Sequence, residues 1–465
     1  MAEAEAARNL RLRRADWRFL TGSEDARTVV RLVNPSRRAL VEARGAVGAG
    51  GAIYVEWWLP RRRAVEAARS GLEAAGFTDV RCYWPWPPPL RRQTQFWLPL
   101  DAPAAVAWHL ASRPERRVLD AAWRAARQFG LLVPLCTTAR VPDGDANLLE
   151  ERLAGSWGGD RITWLLLTGG RRSLNKVVAL AFLDEEPAPR AAVKVARTPE
   201  AEEPLLHEAE VLELLARNRP VPPGVPEVFE ITRRDGRAAV VESAVEGRPL
   251  QPMLREGTFA RHAESVTDWL ISLAGNASIV PQADWWARLV DAPLQEFEEL
   301  FGGVVDAAAV ATARTYLAGV EAAPLVIEHR DCSPWNVLVA RDGHLAVVDW
   351  ESAEPCGLAG LDLVYFLTHA AADADGRARW WDATDWYAGI RDGSTPSGRV
   401  VQSCERRYCE AVGLAPDSLE RLRLLCWALH ARSEHARLIA DGCDLNGSVF
   451  VSLWRQELGR ASVAP

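Results

Sequence analysis

Short apolar runs alternate with stretches of helical period along most of this chain. Residues 50–58, with Ile53, Val55, Trp57 and Trp58, read as a buried strand ahead of a helix over 61–75, which Gly76 closes, and a second strand over 77–83. Residues 167–180 read as strand, turn, strand, with Gly169 and Gly170 supplying the turn. An apolar strand covers 191–197. Leu205, Val211, Leu212 and Leu215 then recur at helical spacing and predict one buried face. Residues 239–245 read as another strand. Helices are predicted over 265–274, stopped by Gly275 and Asn276, over 360–367, with Asp362 as its cap, and around 422–429. Turn-rich stretches at 141–147 and 219–226 mark a boundary and a connector.

Composition narrows the class. The chain has 465 residues, 48% of them hydrophobic, enough for two or three domains. No uninterrupted apolar run reaches a membrane span, and the first residues lack the basic start and apolar core of a signal peptide. The 8 cysteines show no Cys-x-x-Cys pairs, which favours reduced thiols over a zinc site or a disulfide framework. A soluble cytoplasmic protein is expected, with no membrane partner. Residues 1–150 carry 23 Arg against 16 acidic residues, and the remainder 32 basic against 46 acidic. Spread over such lengths, these balances read as solvated surface and select no ligand. Arg61, Arg62 and Arg63 read as a helix start and the Trp-Pro run at 84–89 as a packed connector, so no nucleic-acid partner is expected.

The candidate chemistry starts from lysine, which occurs only at Lys176 and Lys194. Lys194 stands at the centre of the apolar strand, where a cation is costly without a partner or a ligand. An acid on the following helix is the expected partner, with Glu208 preferred and Glu210 left open. Lys176 reads equally as an aid at phosphates and as an exposed strand residue. Farther on, His329-Arg330-Asp331 is followed by Asn336, and a strand ends in Asp349-Trp350-Glu351. An Asp, an Asn five residues later and an Asp thirteen beyond that form the spacing that phosphoryl transfer from ATP requires. Cys332 is expected to pack at the loop, Trp335 to pack beneath it or, in a shallow site, to touch substrate, and His329 to brace it.

The pattern His-x-Asp-x-x-x-x-Asn with a downstream Asp-Trp-Glu resembles the aminoglycoside phosphotransferase and choline-kinase-like small-molecule kinases, over residues 155–460. The resemblance implies an α+β, bilobal, protein-kinase-like fold: a β-rich nucleotide lobe over 155–250 and a helical lobe over 251–465 with the catalytic loop and substrate site. It implies Asp331 as the catalytic carboxylate, Asn336 and Asp349 as Mg²⁺ ligands on ATP, and Lys194 on the phosphates, held by Glu208. Gly169 and Gly170 would approach the phosphates, and the backbone near Glu242 and Val245 would meet the adenine. The acceptor would be a hydroxyl of a small molecule such as a sugar, amino sugar or aminoglycoside. Two features set the chain apart from protein kinases. No Gly-x-Gly-x-x-Gly is present, and Asp-Trp-Glu replaces the Asp-Phe-Gly of protein kinases. A pseudokinase-like scaffold is the competing reading.

Residues 1–140 weakly resemble the closing half of a class I methyltransferase fold. Residues 1–45 contain only Gly22 and Gly45, too few for that family's glycine-rich cofactor turn. A small, truncated, non-catalytic α/β domain is the expectation for this part.

Overall fold

A computed structural model describes residues 29–57, 64–86, 96–112, 121, 135–141, 149–168, 176–217, 221–234, 236–275, 277–377 and 384–461. Two compact units result: Met1–Ala209 with Pro226–Val245, and Glu210–Val225 with Glu246–Pro465. The architecture is α+β. Gly169, Gly170 and most of the expected boundary at 141–147 lie outside the described residues.

The first unit is organised by one sheet. Its strands are β1 (Val29–Val33), β2 (Ala52–Trp57), β3 (Thr78–Trp86), β4 (Phe96–Pro99), β5 (Leu135–Arg140), β6 (Ile162–Leu167), β7 (Lys176–Leu183), β8 (Ala191–Ala196), β9 (Val228–Arg234) and β10 (Arg237–Ser243). They lie in the order β1-β2-β5-β3-β4-β6-β7-β8-β10-β9. β1 and β2 are parallel, joined through helix α1 (Arg37–Val47), and β5 runs antiparallel between β2 and β3. Helix α2 (Ala64–Ala74) links β2 to β3, and α3 (Pro103–Ser112) follows β4.

The join comes at β4, which pairs β3 on one side and β6 on the other. Packing follows the same continuity. Tyr54, Tyr83 and Cys136 share one core with Trp164, Val177, Val193 and Val241, and helix α4 (Leu149–Ser156) covers it through Leu149 and Leu153. The period of two along each strand puts this core on one face. Ala196, Ala238 and Val240 on the opposite face meet Leu205 and Ala209 of helix α5 (Glu202–Arg217).

The second unit is mainly helical. Two small sheets, β11-β14-β15 (Arg248–Pro249, Val337–Val339, Leu345–Val347) and β12-β13-β16 (Ser278–Pro281, Ala322–Glu328, Glu354–Leu358), carry the loops of interest. Around them are α6 (Glu256–Ala274), α7 (Ala292–Phe301), α8 (Ala307–Leu317), α9 (Leu361–Ala374), α10 (Thr384–Asp392), α11 (Pro396–Val412), α12 (Pro416–Asp441) and α13 (Val449–Ala461). Helix α6 stops at Gly275, whose φ of 54° suits a residue without Cβ, but it begins nine residues before the predicted start. The α12 helix likewise extends far beyond 422–429. The carbonyl of Gly224, at φ 84°, accepts from the Val347 backbone N–H, and a Cβ there would meet the Leu345 carbonyl oxygen at 2.0 Å. No helix among the described residues is long and apolar enough to cross a membrane.

Candidate active site

In the first unit the sheet brings together both lysines. Lys194 lies opposite Val178 and Val240 in register, and Glu242 follows two residues along β10, so Lys176, Lys194 and Glu242 share a face. Lys194 Nζ is 2.6 Å from Glu208 Oε1 and 2.7 Å from Glu242 Oε1. Lys176 Nζ lies 3.6 Å from Glu208 Oε2. All four side chains are buried, with Glu208 wholly inaccessible. Two cations and two carboxylates thus offset one another where neither sign would be stable alone. Burial pushes the Glu242 carboxyl up, to about 7, against the pull of Lys194.

Glu208 makes this contact; Glu210 does not appear in it. Lys176 is buried, not exposed. The Glu242 carboxylate is a partner that the backbone-only expectation for 242–245 missed. An acid within the apolar run Ala239–Val240–Val241 carries the same signal that singled out Lys194. Val245, six residues from that run's start, has no side-chain polar group to place.

The second unit holds the residues of the expected catalytic loop. The Asn336 amide nitrogen donates to the Asp331 carbonyl at 2.9 Å and to Asp331 Oδ2 at 2.8 Å. Tyr365 Oη donates to Asp331 Oδ1 at 3.4 Å. Burial, together with the neighbouring Asp349 charge, pushes the Asp331 carboxyl up to about 7. Asn336 and Asp349 stand at the open end of one hairpin: β14 pairs β15 through Val337 and Val347, and Val348 N–H donates to the Asn336 carbonyl one step beyond.

This loop is strained and held. Arg330 and Asp349 occupy left-handed backbone, at φ 60° and 75°, a region of order 1–3 kcal/mol for side-chain-bearing residues. Asp362 of α9 secures the first: its carboxylate accepts from the backbone N–H of His329 at 2.6 Å and of Arg330 at 2.8 Å. His329 Nδ1 accepts from Asp331 N–H at 3.2 Å, so its hydrogen is on Nε2, which donates to the Val348 carbonyl at 3.1 Å. The imidazole thereby ties the loop to the Asp349 turn, with Trp350 against it at 4.6 Å.

Two expectations change. Asp362 braces the loop but does not cap α9, whose N-cap is Gly360 in left-handed backbone. Trp335 is 60% exposed and packs beneath nothing, because the loop turns its indole outward between Ser333 and Asn336. Cys332 is buried, as expected of a packing residue. Tyr365 was not foreseen, although its i, i+3 spacing from Asp362 places both on one face of α9.

Asn336 and Asp349 together offer an amide oxygen and a carboxylate, a hard-oxygen set suited to Mg²⁺, which usually keeps few protein ligands besides phosphate and water. Among the described residues no group of three or more His, Cys, Asp or Glu side chains is placed to hold a metal.

With this geometry in view, comparison with known proteins is informative for one part of the chain. Residues 175–392 match the model of the phosphotransferase enzyme family, APH. This part of the chain resembles the aminoglycoside phosphotransferases. The matched span includes both lysines, Glu208, the catalytic loop and Asp349. Among solved structures, the aminoglycoside phosphotransferase APH(4)-Ia in a thermostable mutant form is similar at 17% identity and a TM-score of 0.43, covering 68% of this chain and 100% of that one. APH(3'')-Id from Streptomyces rimosus is similar at 15% identity and a TM-score of 0.36, covering 60% and 95%. An aminoglycoside 2'-phosphotransferase-IIIa, as its GDP complex, reaches 14% identity and a TM-score of 0.40, covering 67% and 96%. No curated protein matches the chain.

Proposed function

We propose that this protein transfers the γ-phosphate of ATP to a hydroxyl of a small molecule, such as a sugar, amino sugar or aminoglycoside. The observation that carries this reading is the half-buried Asp331 carboxylate, oriented by Asn336 and Tyr365 on a loop clamped by Asp362. In the proposed reaction the acceptor oxygen forms a bond to the γ-phosphorus while the bond from that phosphorus to the ADP oxygen breaks. The acceptor proton passes to Asp331. Its upward-shifted carboxyl suits a group that accepts a proton late and returns it to solvent.

Asn336 and Asp349 would hold Mg²⁺, which when bound neutralises phosphate charge. Lys194 would place a compact, buried cation on the phosphates, with Glu208 and Glu242 fixing its ammonium. Little covalent chemistry falls to the protein; positioning and preorganised charge supply the rate. Cytoplasmic ATP as donor is part of the same proposal.

The test is thermal unfolding with a non-hydrolysable ATP analogue, with and without Mg²⁺, for the wild type and Asp349→Asn. Ligand at a hundred times its Kd should add about 2.7 kcal/mol. A Mg²⁺-dependent shift that Asp349→Asn removes supports the reading. No shift at millimolar nucleotide would replace it with a binding or scaffolding role.

A further inference from the structure

The second unit contains a cavity of about 280 Å³ beside the catalytic loop, lined by Glu328, Arg330, Asp362, His430, Glu296 and Arg432 among others. It adjoins the proposed chemistry through two contacts. Arg330 is the chain neighbour of Asp331. His430 stacks on the Tyr365 ring at 3.5 Å, and that tyrosine's hydroxyl reaches Asp331.

Glu328 is the unusual member. It is 1% exposed, at the end of β13, and its Oε1 has no hydrogen-bond partner. Its Oε2 receives only a long contact from Arg330 Nε, at 3.4 Å. A buried carboxyl oxygen left unmatched is costly unless a ligand completes it. The fold makes room for this group: a Cβ on Gly357, across the strand pair, would lie 1.8 Å from Glu328 Oε2.

Charge decides the class of ligand. Asp362 is committed to the backbone N–H groups of His329 and Arg330. Glu296 is paired with Arg432. Glu328 has Arg330 beside it and burial that pushes its carboxyl up to about 8, while burial also keeps the His430 imidazole neutral. No negative charge is left in excess to receive several ammonium groups. Hydrogen-bonding capacity is left. Pockets for drug-sized ligands span about 300–1,000 Å³, so this volume suits one ring-sized group.

We infer that this cavity is the acceptor recess of the proposed kinase, that it takes an uncharged polyhydroxy ring such as a monosaccharide or cyclitol, and that the Glu328 carboxyl selects it by hydrogen-bonding a ring hydroxyl. The inference rests on the phosphotransfer reading.

The experiment is an ADP-release assay with D-glucose, D-galactose, myo-inositol and, as polycationic probe, kanamycin. It is run on the full chain as wild type, Glu328→Leu, Glu328→Gln and Ser433→Trp, with the nucleotide-induced melting shift recorded for each. Ser433 lines the cavity from an exposed position on α12, so its replacement fills the recess with little demand on folding. Turnover is expected with an uncharged ring. Losing one hydrogen bond in Glu328→Leu should raise its KM about tenfold with kcat little altered, and Glu328→Gln should recover most of that loss. Ser433→Trp should raise KM while the nucleotide shift persists. Turnover of kanamycin alone, equal losses in Gln and Leu, or an unaltered KM in Ser433→Trp would overturn the inference while leaving phosphotransfer intact. Absence of both nucleotide shift and turnover in the wild type would overturn the phosphotransfer reading itself, and this inference with it.

Discussion

The lysine cluster of the first unit and the catalytic loop of the second solve opposite problems. In the first, four charged side chains from β7, β8, β10 and α5 are buried together and neutralise one another. In the second, one carboxylate, Asp362, stabilises backbone: it holds the N–H groups of His329 and Arg330 so that a strained loop presents Asp331. Side-chain pairing confers charge balance, and its loss should appear as instability. Backbone clamping confers geometry, and its loss should appear mainly in rate.

The largest effect expected is on catalysis. Asp331→Asn should lower the transfer rate by about 10²–10⁴-fold, as for loss of a general base, while keeping the nucleotide-induced melting shift. Steady-state turnover checks it, and a loss under tenfold would remove Asp331 from that role.

Glu208→Ala should cost about 3–5 kcal/mol in urea unfolding, because it removes the buried carboxylate that both ammonium groups approach and leaves Glu242 to balance the Lys194 charge. Replacing both Glu208 and Lys194 by apolar residues should cost less than the two single changes added together. Strict additivity would break the picture of a neutralised cluster. Asp362→Ala should cost less stability, about 1–3 kcal/mol, yet lower kcat markedly, since the orphaned N–H groups release the loop. A stability loss with unaltered kcat would erase the contrast between the two regions.

A pH profile sharpens it further. The Glu328 carboxyl is raised from 4.5 to about 8 by burial. The folded protein therefore binds this proton more tightly than the unfolded chain does. The stabilisation is present below about 4.5 and lost as pH rises towards 8. The difference in Tm between Glu328→Gln and wild type should accordingly grow across pH 5 to 8.5. A pH-independent difference would place Glu328 in a more solvated setting. The smallest effect belongs to the exposed Arg38–Glu42 pair on α1, where Arg38→Ala should leave unfolding within error.

The spacing of Asp331, Asn336 and Asp349, Lys194 at the centre of an apolar strand and the periodicity of α5 were legible in the chain itself and pointed to a phosphotransferase-like site. Each is a local pattern: it depends on residues a turn, a strand or a loop apart. Helix starts were less legible, as α6 shows, because its first turns bury Phe259, His262 and Ala263, a mixed set whose small and polar members give a weaker periodic signal than the later Trp269 and Leu270. What the chain order could not disclose are the pairings between distant segments. Among these are β4 joining β3 to β6 in one ten-stranded sheet, Glu242 closing on Lys194, Tyr365 reaching Asp331, and Gly357 clearing space for Glu328. Those depend on register and packing across dozens of residues, where a shift of one position turns a side chain to the opposite face. The sequence by itself determined which polar groups stand out and at what spacing; tertiary structure decided which of them are buried, which pair with one another and which hold the loop, because those depend on register and packing.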